Sequence, residues 1–107
     1  MDLNAFFKIW KNGSSFRDLD FQICLEDLEK QWELQSGKCY YSGADMTMAI
    51  NDPNKVSLDR LDSSIGYYPE NIVLCTSRVN LMKKDLTLSE FAETINLIAA
   101  RTLLWNH

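Results

Sequence analysis

Histidine is almost missing from this chain of 107 residues, and the one copy, His107, closes the sequence, where side chains are usually frayed. Histidine catalysis is therefore not expected. Cysteine is scarce as well: Cys24, Cys39 and Cys75 make an odd number with no dense framework, which fits reduced thiols and leaves too few ligands for an all-thiolate zinc site. No apolar run approaches a membrane span or a signal-peptide core, so a soluble, cytoplasmic protein with no membrane partner is expected. Positive charge is also short, with 11 Lys and Arg against 15 Asp and Glu and a formal net charge of -4. That balance weighs against non-specific adhesion to nucleic acid, which comes from cations neutralising phosphates.

The charges that are present are unevenly placed. Asp18, Asp20, Glu26, Asp27, Glu29 and Glu33 gather early, whereas Lys55, Arg60, Arg78, Lys83 and Lys84 fall in a later stretch. That separation leaves room for a local basic face on an acidic body. The acidic run reads first as a solvated helix face and second as a docking face for a basic partner. Size alone gives one domain over residues 1–107 with a single core. Its class is α+β: a helical part over 1–36, a central unit over 37–85 and a C-terminal helix over 86–107.

Asp2 is placed to cap a first helix from Leu3 to Lys11, in which Leu3, Phe6, Phe7 and Trp10 repeat at three and four, and Asn12-Gly13 is expected to stop it. A polar loop over residues 14–20 and an extended piece around Phe21 to Ile23 lead into a second helix over about Leu25 to Gln35. Leu25, Leu28 and Trp32 form its buried side, and Ser36-Gly37 supplies a left-handed cap. Met46, Met48 and Ile50 alternate as a strand before the Asn51-Asp52-Pro53-Asn54 turn. Thr87 with Glu90 forms a capping box for a last helix running to about Leu104. Leu88, Phe91, Ile95, Ile98, Leu103 and Leu104 mark the side expected to close the core.

The stretch from Lys55 to Asp85 organises the rest. Val56, Leu58 and Leu61, then Ile72, Val73 and Leu74, are two β-prone runs separated by a polar loop carrying Gly66, Pro69 and Asn71. Thr76 or Ser77 can then cap a short helix in which Val79, Met82 and Leu86 recur at helical spacing, with Lys83 and Lys84 in its closing turn. Strand, loop, strand and helix would place the Asp59 carboxylate and the Asn80 carboxamide across a shallow groove. Both offer oxygen to a hard cation.

This stretch resembles the ββα-metal core of HNH endonucleases, particularly the small phage-type members. Gly37-Lys38-Cys39, Ser57-Leu58-Asp59-Arg60-Leu61-Asp62, Gly66-Tyr67, Asn71 and Val79-Asn80-Leu81-Met82-Lys83 match that pattern in order and spacing. More loosely, it is similar to the HNH domain of CRISPR effector nucleases, in which two Asn residues flank the second strand at the separation of Asn71 and Asn80. Zinc-bearing relatives carry Cys-x-x-Cys at two knuckles. This chain has Cys39 with Ser42 and Cys75 with Arg78 there, so Cys39 and Cys75 are expected to be neighbouring buried thiols without structural zinc.

The resemblance implies a metal-dependent endonuclease that hydrolyses DNA phosphodiesters, with Mg²⁺ or Mn²⁺ held by Asp59 and Asn80. It further implies that Asn71 holds the loop and that Arg60, Arg78, Lys83 and Lys84 face nucleic acid. The departure lies at Arg60, where most members place the histidine that accepts the water's proton. A guanidinium stays protonated at any ordinary pH and cannot accept it. Asp62, three positions past Asp59, is one replacement; Tyr67 or Tyr68 is another; a domain with no base, slow or inactive, is the third. The alternative function is a binding module derived from this fold, docking a host protein or nucleic acid.

Overall fold

The computed structural model describes residues 3–15 and 20–105. The expected Asp2 cap, Asp18 with the middle of the 14–20 loop, and His107 lie outside them. Among the described residues four α-helices and one antiparallel hairpin make an α+β fold: α1 (Asn4–Ser15), α2 (Leu25–Leu34), β1 (Val56–Arg60), β2 (Ile72–Thr76), α3 (Ser77–Lys83) and α4 (Leu88–Ala99). Among the described residues no helix is long and apolar enough to cross a membrane.

The hairpin is the centre. Val56 lies opposite Thr76, Leu58 opposite Leu74 and Arg60 opposite Ile72. In β1, Val56 and Leu58 are buried while Ser57 is half-buried, as alternation across a pleat requires. Every residue of β2 is buried, because α2 and α3 both pack against it. Its free edge is closed by a side chain: the Gln35 carboxamide accepts from Leu74 N (3.0 Å) and donates to Leu74 O (2.7 Å), standing in for a third strand. Leu28, Cys39, Met46, Val56, Leu58, Leu74 and Cys75 belong to one apolar core, onto which Phe6, Phe7 and Trp10 of α1 pack.

Helix α2 ends as its sequence predicts, with Ser36 and Gly37 at φ of 55° and 69°. Gly37 is also needed sterically, since a Cβ there would lie 2.9 Å from the Trp32 ring. Helix α1, by contrast, does not stop at Asn12-Gly13 but runs through to Ser15. A helical glycine costs only about 1 kcal/mol relative to alanine, too little to end a helix whose apolar face is anchored.

Two further expectations are corrected. The segment with Met46, Met48 and Ile50 is no regular strand; only isolated bridges pair Lys38 with Asp45 and Thr47 with Lys55. Thr47 Oγ1 accepts from Ala49 N and Asp52 Oδ1 from Asn54 N, so side chains satisfy the backbone locally and a ladder does not propagate. The last helix ends at Ala99 and is followed by a single 3₁₀ turn, Thr102–Leu104. Its capping box forms, with Glu90 N donating to Thr87 Oγ1 (3.0 Å) and Thr87 N to Glu90 Oε1 (2.9 Å). Yet only Phe91 of its expected inner face is buried, and Leu103 is 96% exposed. A periodic apolar stripe reports that a helix has two faces, not that something lies against one of them.

Candidate functional site

Helix α3 follows β2 without a loop. The Thr76 hydroxyl caps it by accepting from Val79 N (3.3 Å), and both Ser77 N (2.8 Å) and Ser77 Oγ (3.1 Å) donate to Lys55 O, tying its start to the start of β1. One turn on, Asn80 Nδ2 donates to Ser57 Oγ at 2.7 Å. Asn80 and Asp59 thereby line one cleft of about 660 Å³, with Lys55, Ser57, Arg60, Tyr67, Lys84 and Asp85 among its other walls. The two residues brought forward from the sequence as cation ligands share this space.

Asp59 sits at the floor of the cleft and is buried. Its Oδ2 accepts from the Tyr41 hydroxyl (2.5 Å) and from the Lys83 ammonium (3.1 Å), which also reaches Oδ1 at 3.4 Å. Lys83 was expected on phosphate, one turn beyond Asn80. Instead its side chain has 0% exposure, its Nζ also donates to Arg60 O (3.3 Å), and it lies 6.0 Å from the centre of the Tyr41 ring. A carboxylate with so little exposed surface is held by an opposite charge, and a lysine's long stem reaches it from α3. Burial first, and Asp59 next, push the Tyr41 phenol well up, so it stays a donor.

The loop between the strands is held by Asn71. Its Oδ1 accepts from Asp62 N (2.9 Å), and its Nδ2 donates to Gly66 O (2.9 Å) and Asp62 O (3.1 Å). Arg60 also faces this loop: Nη1 donates to Ser63 O (2.6 Å) and Ile65 O (3.2 Å), and the guanidinium stacks 5.2 Å from the Tyr67 ring. Tyr67 in turn meets Phe21 (5.3 Å), and Phe21 meets Phe7 (5.8 Å), so a row of rings joins α1 to the cleft wall. Gly66 makes this approach possible, because a Cβ there would stand 2.7 Å from Asp20 O.

The expected bases fare differently. The Asp62 carboxylate accepts from Ser64 Oγ (2.6 Å) and Ser64 N (3.0 Å), which holds its carboxyl below the usual range, and it does not line the cleft. Tyr68 donates to Asp20 Oδ2 (2.7 Å), and that bond pushes its phenol up, away from a base's range. Asp85, not among the site residues expected from the sequence, does line the cleft. It follows Lys84, which caps the end of α3 at a φ of 48°, a conformation uncommon for lysine. Of the cationic residues, Lys55, Arg60 and Lys84 line the cleft and Arg78 does not.

Cys39 and Cys75 are both buried, and Cys39 Sγ accepts from Thr76 N at 3.4 Å. Burial pushes the Cys75 thiol up. Among the described residues no three His, Cys, Asp or Glu side chains are grouped to hold a metal. A cation held between Asp59 and Asn80 would rest on a carboxylate, a carboxamide oxygen and water, a set that suits magnesium, with the Asp85 carboxylate on the same cleft.

No family model matches the chain, and no solved structure matches it. The chain is similar to an uncharacterized 29.0 kDa protein from the dda-modA intergenic region of Enterobacteria phage T4, at 35% identity over 91 residues. It is also similar to an uncharacterized protein of Acanthamoeba polyphaga mimivirus, at 32% identity over 85 residues. These matches take in 85% and 79% of the chain but only 34% and 15% of the respective viral proteins.

Proposed function

We propose that this chain is a virus-encoded, metal-dependent endonuclease of the HNH kind, hydrolysing DNA phosphodiesters in the cleft between β1 and α3. The observation that carries this reading is that Asp59 at the end of β1 and Asn80 on α3 line the same cleft, although they are far apart in the chain. The antiparallel hairpin with α3 packed on both strands, and Asn71 clasping the loop, support a ββα-metal unit. The similarity to phage and mimivirus proteins supports a viral origin.

Asp59 and Asn80 are the residues that would hold Mg²⁺ or Mn²⁺. Asn80 Nδ2 is engaged with Ser57, so its carbonyl oxygen is the atom left for a cation. When bound, the ion supplies Lewis-acid stabilisation of charge on the phosphoryl group and the departing oxygen. Lys55, Arg60 and Lys84 bring positive charge to the phosphate from the walls. Asp85, an exposed carboxylate on the same cleft, takes the place of the missing histidine as proton acceptor from water. Tyr41 and Lys83 position Asp59 from behind.

Plasmid nicking with Mg²⁺ or Mn²⁺, against a chelator control, tests the reading. Nicking is expected to need metal, to vanish in Asn80→Ala and Asp59→Asn, and to fall by about 10² to 10⁴ in Asp85→Asn, the usual loss of a general base. Circular dichroism confirms that each variant is folded. A folded protein that nicks with neither metal overturns the proposal and turns the fold to the binding-module reading.

A further inference from the structure

Three cavities meet at one residue. Ser57 lines the large cleft, a second hollow of about 330 Å³ and a third of about 270 Å³. The second is walled by Phe6, Ile9 and Trp10 of α1 and by Met48 and Ile50, with Lys55 at its polar edge. The third is lined by Ile9 and Trp10, which it shares with the hollow, and by Tyr67 and Asn80, which it shares with the cleft. Phe6 and Trp10 stand 5.7 Å apart between ring centres. Ile9 and Ile50, at the hollow's edge, are 66% and 75% exposed. Large apolar side chains in water beside an apolar, aromatic hollow mark a surface that is covered when occupied.

The shape selects the occupant. The hollow lies at the small end of sites for compact ligands, large enough for one planar heterocycle and too small for a helix or a duplex. It shares Lys55, Ser57 and Ser77 with a cleft edged by Lys55, Arg60 and Lys84, which suits phosphate. An aromatic slot continuous with a cationic channel matches the two halves of a nucleotide, because a base stacks on an indole while its backbone follows positive charge. A base held in a duplex would first have to unpair and unstack. Resting on the nuclease reading for the phosphate half, we infer that this cleft takes nucleic acid with at least one unpaired nucleotide, whose base sits against Trp10 and Phe6.

The test is fluorescence anisotropy in EDTA at low salt. Three labelled DNAs are compared: a single strand of about 12 nucleotides, the same strand fully paired, and that duplex with one extra unpaired nucleotide. The single strand and the bulged duplex are expected to bind about tenfold more tightly than the full duplex, with about a tenfold loss in Trp10→Ala and little in Trp10→Phe. Since Trp10 also packs on the core, Ile50→Asp, at an exposed position, gives a second readout and is expected to weaken single-strand binding. Equal affinity for the three DNAs overturns the inference, as does single-strand binding that survives both Trp10→Ala and Ile50→Asp. A dimer in sedimentation that Ile50→Asp dissolves would assign the hollow to a second copy and overturn it too. A preference for unpaired DNA without nicking sinks the hydrolytic reading and keeps this one; nicking without the preference does the reverse.

Discussion

At the scale of single residues, Lys83 is the most consequential side chain in the structure. An ammonium with no exposed surface is tolerated only where its charge is answered, and Asp59 at 3.1 Å answers it. Removing either partner strands the other's charge, so Lys83→Met and Asp59→Asn are each expected to cost about 3–5 kcal/mol in urea denaturation. The double variant should lose clearly less than the sum, because it leaves no lone buried charge. Additive losses would show that the two do not depend on one another. The pair also governs how nicking data are read: Asp59→Asn joined to Lys83→Met separates a lost cation ligand from a weakened fold. Asn71 sets a different limit at this scale. Its one carboxamide, at the far end of the loop, satisfies backbone groups at the loop's start (Asp62) and middle (Gly66), which ties the loop together beside the cleft with only a single 3₁₀ turn of regular structure.

At the scale of elements, two glycines show how the same residue does opposite work. Gly13 lies inside α1 with nothing within 4 Å of a Cβ, so Gly13→Ala should stabilise the protein by about 0.5–1 kcal/mol through helix propensity alone. Gly66 lies where the loop passes the backbone of Asp20, and a Cβ 2.7 Å from Asp20 O forces that contact apart. Gly66→Ala is therefore expected to lower the melting temperature while Gly13→Ala raises it. The two thermal melts check the pair, and a shift in the same direction for both would refute it. The contact that Gly66 permits ties Tyr67, and through Phe21 the first helix, to the cleft wall. Helix α4 shows the limit of pattern at this scale. Its capping box forms as spaced, yet its apolar stripe meets the core at Phe91 alone.

At the scale of the whole molecule, charge separates. The chain carries a net -4, but the cleft walls hold Lys55, Arg60 and Lys84 against Asp59 and Asp85, with Lys83 behind them. An acidic protein can thus present a cationic track, and binding through it should weaken steeply with salt. For single-stranded DNA each phosphate contact contributes a slope of about -0.7 in log affinity against log salt. Lys84→Ala is expected to reduce the measured slope by about that amount, whereas Arg78→Ala, at an exposed position off the cleft, should leave it unchanged. A salt titration of single-strand affinity decides it. The viral relatives extend well beyond the aligned region, so this fold is one part of those longer proteins.

Local signals were legible wherever neighbouring residues satisfy one another. The two β-prone runs, the Thr76 and Thr87 caps, and the left-handed close of α2 at Ser36-Gly37 need only a few consecutive positions, and each is where spacing places it. That Asp59 and Asn80 should share a space could likewise be read from a strand, loop, strand and helix in order. Nothing in the order of residues told that Lys83 turns inward to Asp59, that Asp85 lines the same cleft as Asp59, or that Trp10 and Asn80 line one cavity. Those contacts join segments far apart in the chain. They are settled by which groups the fold shuts away from water, and a buried charge or an open aromatic edge acquires its partner only once the surrounding elements have packed.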